Sequence, residues 1–404
     1  MRISISSLWI SEIFTTKTIS YIFNKLLELI SIMTERILEV GVLMILLLCS
    51  CSSKVLDNEE AEVDIYTMSD KTIDEYVDSV YYLGLNPGET SGPRRIGKLR
   101  INNGIIYISN GIVNSDKIYA YDEKTGNLLF VLDSMGNGPE EYNEIRNYAI
   151  HDNGLYIIDN TRQRLMKFDA TNGDYISHVE MPVIADDIEI LDSGRIIFAT
   201  TPVPSSQGKL AIPQERNRLF IYDSNMNYIT GFLPVEEGCE DPFIVRHPFT
   251  RNGDTVYYSS PMYNGFYSLI DGEKVELLFH DINFRNGMEG RKEIDVNGDM
   301  EYEKLVDTPL VSGSNIILNY SDGKGNGVFG MWNKDERGIL INSAENVRKA
   351  MLPVVGMSGN SFLSYIDDYD MYESITGQGF TKAPVEVENV LKNEGGALIY
   401  YRMK

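Results

Sequence analysis

Six times after residue 95 the chain repeats one local pattern, clear in three copies and weaker in three: a turn glycine, a β-prone run, then a second β-run that ends in an aromatic and an acidic turn. The clearest copies are residues 104–108 with 118–122, 154–159 with 165–169, and 194–198 with 219–223. Weaker copies are 253–258 with 265–269, 313–318 with 328–332, and 359–364 with 397–401. The equivalent positions Tyr121, Phe168, Tyr222, Leu269, Trp332 and Tyr400 are 47, 54, 47, 63 and 68 residues apart. A period near about 50 residues with several strands per unit predicts an all-β fold, a six-bladed β-propeller; the competing reading is a β-sandwich or a pair of them.

Each repeat also has a preceding β-run, such as 145–150 or 184–191, and usually a following one, such as 128–132 or 175–181. That makes four antiparallel strands per blade. The turns Lys124-Thr125-Gly126-Asn127 and Thr171-Asn172-Gly173-Asp174 sit where a third strand must hairpin into a fourth, and both supply residues that tolerate positive φ. The last blade lacks an outer strand of its own. Residues 78–85 form a β-run before the first blade and are expected to fill that place, closing the ring and removing its open edge.

Upstream, Leu46-Leu47-Leu48-Cys49-Ser50-Cys51 ends an apolar run in a small residue and a cysteine, followed by Ser52-Ser53-Lys54. This is the arrangement of a bacterial lipoprotein signal, with Cys51 as the lipidated first residue of the mature chain. The apolar core 40–48 is shorter than the roughly 20 residues that cross a bilayer. Met33 is a better start than Met1, so residues 1–32 read as an over-extended start. The expected organisation is 1–50 signal peptide, 51–75 lipidated acidic tether, and 76–404 propeller.

The chain carries 36 Lys and Arg against 59 Asp and Glu, a net charge of −23. Residues 1–50 hold four of each sign, so the mature part keeps that charge. Such a surface repels phosphate backbones and anionic headgroups; nucleic acid is excluded as a partner, and membrane attachment is expected through the lipid. Cys239 is the one thiol remaining after processing, flanked by Glu240 and Asp241, which disfavour a reactive thiolate.

At Gly136-Asn137-Gly138-Pro139-Glu140-Glu141-Tyr142, followed by Leu155-Tyr156-Ile157-Ile158-Asp159 and by the ending Ala397-Leu398-Ile399-Tyr400-Tyr401-Arg402-Met403-Lys404, the chain resembles the six-bladed β-propeller lipoproteins of gut Bacteroides-type bacteria, relatives of the NHL-repeat and TolB-like propellers. The resemblance covers residues 63–404 and implies the fold and a cell-envelope location; most members have no assigned reaction. Read on its own residues, the G-x-G-P-x-E-Y element is a turn between blades, since no helix start or P-loop lysine follows to cradle a phosphate.

Propeller sites form at the channel mouth, on residues that open the innermost strands. Counting back from each turn glycine gives Arg146, Asp186 or Asp187, Arg246 and, more loosely, Asp307 as candidate ligand-binding residues. They could bind an oligosaccharide, a peptide or an anion, or simply pair with each other and stabilise the rim. The four histidines, His151, His178, His247 and His280, fall at unequal places in their blades, against a three-histidine zinc site. Asp295-Val296-Asn297-Gly298-Asp299 opens like a calcium loop but has Met300 and Val306 where the loop needs Gly and Glu. Asp367-Asp368-Tyr369-Asp370 reads as an acidic loop, and the cluster Tyr257, Tyr258, Tyr263, Phe266 and Tyr267 as blade packing rather than a sugar platform. With no G-x-S-x-G elbow and no implied cofactor or metal, the expected function is a lipid-anchored, non-catalytic binding or scaffolding module for a glycan, peptide or protein partner. The alternative is a metal-dependent hydrolase, lactonase or lyase at the channel mouth.

Overall fold

The computed structural model describes residues 63–111, 115–201, 216–235, 247–289, 301–341 and 351–404, besides Lys25. Within Asn58–Lys404 the strands form six sheets, one per sequence repeat, as a six-bladed propeller. Blade one runs Ile96–Asn102, Ile105–Asn110, Ile118–Asp122 and Leu128–Leu132 from the axis outward, and blades two to four repeat this antiparallel order. Tyr121, Phe168, Tyr222, Leu269, Trp332 and Tyr400 all lie on third strands, and all are buried. From Tyr121 to Trp332 the sequence period is therefore the spacing of one structural position, the side chain that fills the gap to the preceding blade; Tyr400 faces blade one instead, and its neighbour Tyr401 fills the gap to blade five. The six apolar clusters of the core each lie between two successive blades, the last joining blade six to blade one through Leu363, Leu398 and Tyr400 against Leu99, Ile106 and Tyr121.

Two turn types recur. Between first and second strands, left-handed residues reverse the chain, as at Asn103 (φ 50°) and Gly104 (φ 76°) in blade one and at Asp152 (φ 50°), the equivalent of Asn103, in blade two. Between third and outer strands of blades one to three, an aspartate organises the hairpin: Asp122 accepts from Thr125 N–H at 2.7 Å, Asp169 from Thr171 N–H at 2.7 Å, and Asp223 from Asn225 N–H at 2.8 Å; in blade five Asp322 does the same between second and third strands, accepting from Lys324 N–H at 2.8 Å. Hydrogen bonds from side chain and backbone donors hold all four carboxyls below the usual carboxylate range. The acidic residue that ends the sequence repeat is thus an Asx-type turn former. Blade four uses Asp271 differently, as a clamp to blade three through Ser193 N–H (2.9 Å) and Arg195 Nη1 (3.1 Å).

Ring closure follows the expectation. Val77–Leu85 is the outer strand of blade six and pairs antiparallel with Gly396–Met403, with Tyr81 stacked on Tyr400 at 4.5 Å between ring centroids. The part of the expected tether that is described, residues 63–75, is instead built into the propeller. Val63 bridges Ile282 in parallel, and Met68–Thr72 adds a parallel strand outside Gly338–Ile341 of blade five. Ile65 and Ile73 are buried because the strap covers an otherwise open apolar flank. Asp64 fastens it, accepting from Thr67 Oγ1 (2.5 Å), Asn283 Nδ2 (2.7 Å) and Tyr66 N–H (2.9 Å).

Those bonds, the Thr67 hydroxyl foremost, lower the Asp64 pKa to about 2. A carboxyl held below its unfolded value stabilises the fold above that value, and the contribution disappears as pH falls through the folded pKa. The stability difference between the wild type and Asp64→Asn, read from urea unfolding, is therefore expected to be constant from pH 7 to 5 and to shrink between pH 4 and 2. A difference that does not change over that range would show that the Asp64 charge does not hold the strap.

Blade six departs from the sequence expectation. Residues read as an acidic loop begin a helix, Tyr369–Gly377, capped by Asp368, which accepts from Met371 N–H at 2.7 Å. A second helix, Val385–Lys392, follows, and the Tyr372 hydroxyl ties the two by donating to Glu388 Oε1 at 2.6 Å. Val390 packs over Gly84 of the closing strand, where an added Cβ would come within 3.1 Å of its methyl carbon. The G-N-G-P-E-E-Y element is more than a turn. Its carbonyls cage the Arg162 guanidinium, which donates to Gly136 O (2.8 Å), Gly138 O (2.7 Å) and Glu141 O (2.8 Å), while Glu141 accepts from Gly138 N–H at 2.6 Å. The Glu141 side chain folds back over both glycines, so a Cβ at either place would push its carboxylate aside.

Candidate functional site

Side chains alternate across a strand, so every second residue of an innermost strand points to the channel axis. In blade one these are Lys98, Arg100 and Asn102; in blade three, Asp187 and Glu189; in blade four, Arg251. They form layers. In the deepest, Lys98 Nζ donates to Asp187 Oδ1 at 2.7 Å, Asp187 Oδ2 accepts from Phe249 N–H at 3.1 Å, and the Tyr148 hydroxyl of blade two donates to the Lys98 carbonyl at 3.0 Å. In the next, Arg100 Nη2 donates to Glu189 Oε1 at 2.6 Å and to the Phe249 carbonyl at 3.1 Å. Lys98 lies 3.6 Å and Arg251 3.8 Å from Glu189. Arg251 also donates to the Ile190 carbonyl at 2.7 Å and to Asp192 Oδ1 at 2.6 Å.

This network joins four blades through buried charge, and its electrostatics follow from that burial. Removal from water pushes the Asp187 carboxyl up and the Lys98 ammonium down, each shift partly opposed by the other's charge. Burial works against the Glu189 carboxylate as well, yet Arg100, Lys98 and Arg251 converge on it and hold it below the ordinary range.

Beyond the second layer the channel opens into a cavity of about 470 Å³, at the end where the innermost strands finish. Its floor includes Arg100, Glu189 and Arg251; its rim is made by first-turn residues Asn103, Asp152, Asp192 and Asp254. Of the described residues expected at a mouth, Arg146, Asp186, Asp187 and Asp307, none lines this cavity. Asp187 is fully buried in the deepest layer because the chain turns it inward, whereas its neighbour Asp186 faces the other way and pairs with Arg146 at 2.6 Å while accepting from Thr201 N–H at 2.7 Å. Asp307 accepts from Asn319 Nδ2 at 2.9 Å. Arg246, Cys51, Cys239 and the calcium-like stretch 295–299 lie outside the described residues. The expectation placed the mouth where the innermost strands begin; the cavity is at the opposite end, bordered by the first turns.

Lys98, Arg100, Glu189 and Arg251 were not singled out from sequence. Their signal was present as polar residues alternating with apolar ones in Lys98-Leu99-Arg100-Ile101-Asn102 and Asp187-Ile188-Glu189-Ile190, on strands that must be buried on both faces. Among the described residues, no three His, Cys, Asp or Glu side chains are placed to hold one metal ion. Tyr258, Phe266 and Tyr267 are buried between blades, as packing required. No helix among the described residues is long and apolar enough to cross a membrane.

The sequence matches a family model described as Domain of unknown function (DUF4934) over residues 56–394. No curated protein matches it. Among solved structures, a protein of Bacteroides fragilis NCTC 9343 described as exported is similar with a TM-score of 0.66 at 15% identity, covering 85% of this chain and 100% of its own. A member of the DUF4221 family from Bacteroides vulgatus ATCC 8482 has a TM-score of 0.47 at 10% identity, covering 81% and 97%. The first of these supports the fold.

Proposed function

The chain belongs to the DUF4934 family, and from that premise we propose that it is a lipid-anchored, non-catalytic binding module of the cell envelope that holds a small polar ligand in the axial cavity. The observation that carries this is the closed ion-pair network beneath an open polar cavity. The buried charges at its floor already have partners, so they can present fixed hydrogen-bonding groups to a ligand without exchanging protons with it. Anchoring is supported by the cysteine-terminated apolar run at Cys51. Envelope location is further supported by the resemblance to the six-bladed propeller lipoproteins of Bacteroides-type bacteria and by the exported description of the Bacteroides fragilis protein.

Two measurements test it. Cys51→Ala is expected to lose incorporation of a labelled fatty acid and to leave the membrane fraction; unchanged fractionation would remove the lipid anchor from the reading. The purified full chain is expected to gain thermal stability with at least one member of a peptide and oligosaccharide panel, without turnover, since a ligand of the folded state stabilises it by mass action. Asn102→Trp, which enters the cavity from the axis side of blade one, is expected to abolish that gain. Retention of the gain in this variant, or appearance of product by mass spectrometry, would overturn the proposal.

A further inference from the structure

The cavity is graded in charge, and the gradient names a ligand class; this inference rests on the cavity being the ligand site. Deepest are Arg100 and Arg251, with 16% and 18% of their side chains exposed, whereas Asp192 and Asp152 at the rim are 55% and 89% exposed and Asp254 is exposed beside them. None of the lining residues is Phe, Tyr or Trp, so a sugar ring meets no aromatic face to stack on. The buried network holds Lys98, Arg100 and Arg251 against Asp187 and Glu189, one cation more than anions. The balancing carboxylate is Asp192, which reaches Arg251 from the solvent edge at 2.6 Å. A rim carboxylate that serves a buried guanidinium marks a place that a ligand carboxylate can take, with charge-assisted bonds of the same kind. A purely anionic ligand would still face the three exposed rim aspartates and a chain of net charge −23.

We infer that the cavity takes a zwitterion, a short peptide or free amino acid, with its carboxylate inward at Arg251 and Arg100 and its ammonium at Asp152 and Asp254. The test is calorimetric titration of the full chain with tri-alanine, N-acetyl-tri-alanine, tri-alanine amide and maltotriose. Tri-alanine is expected to bind, with each blocked peptide weaker by about tenfold or more. The exposed double variant Asp152→Asn/Asp254→Asn, which leaves the buried network intact, is expected to weaken tri-alanine and to leave N-acetyl-tri-alanine unchanged. Equal binding of blocked and free peptides overturns the zwitterion and keeps the cavity as a site. Binding of maltotriose alone does the same, whereas absence of binding by all four probes overturns both.

Discussion

Asp187→Ala is expected to lower the unfolding free energy by about 3–5 kcal/mol, because it strands the Lys98 ammonium in the interior with its nearest counter-charge gone. The carboxylate also accepts from Phe249 N–H, so the same deletion leaves a buried backbone donor of blade four unpaired. The double variant Lys98→Met/Asp187→Leu removes both charges, keeps volume near the axis and is expected to be less destabilised than Asp187→Ala. Urea unfolding of the three proteins measures this. A loss below about 1 kcal/mol for Asp187→Ala would mean that water reaches the axis and solvates Lys98, contrary to its burial.

Gly126→Ala is expected to be the second large effect. Gly126 has φ 69°, and a Cβ there would lie 1.8 Å from the Gly84 carbonyl oxygen of the closing strand. The same junction is held by Asn86 N–H donating to the Gly126 carbonyl at 2.8 Å. Left-handed backbone costs an alanine roughly 1–2 kcal/mol, and relieving the clash about 1–3 kcal/mol more, so a loss of about 2–5 kcal/mol is expected. Gly194→Ala separates the two contributions. Its φ is 78°, but the added carbon meets nothing within 4 Å, so it should lose only the backbone part. Equal losses in denaturant unfolding would show that the junction between blades six and one tolerates displacement.

Much of the propeller was legible because its signals are local. A strand shows itself by β-branched and aromatic runs and a hairpin by the residues its turn demands, so third-strand positions such as Tyr121 and Trp332 could be aligned without coordinates. The closing strand was legible for a related reason: a β-run before the first repeat and a missing outer strand after the last have one satisfying partner each. The helices at 369–377 and 385–392 were hidden because they interrupt a blade between strands already assigned. Their start is marked by an acidic stretch that serves equally well as a loop. The strap at 63–75 was hidden because its acidic composition resembles a tether, and only the flank of blade five gives Ile65 and Ile73 something to cover.

The candidate site divides in the same way. Arg146 and Asp186 were identifiable as charged residues at the start of innermost strands, and their pairing was one of the two outcomes considered. The side of the strand on which Asp187 falls, and hence its partner Lys98, lay beyond any local signal. These residues are 89 positions apart in sequence and two blades apart around the ring. By itself, then, the amino-acid sequence determined the blade count, the strand order within a blade and the turn chemistry, which depend on neighbours within one repeat, and the closing strand, which is the single β-run left over for the single outer strand missing. Which charges meet on the axis, which end of the channel opens and which segment covers blade five were decided only by tertiary structure, because closure of the ring brings together groups whose separation in the chain carries no periodic signal.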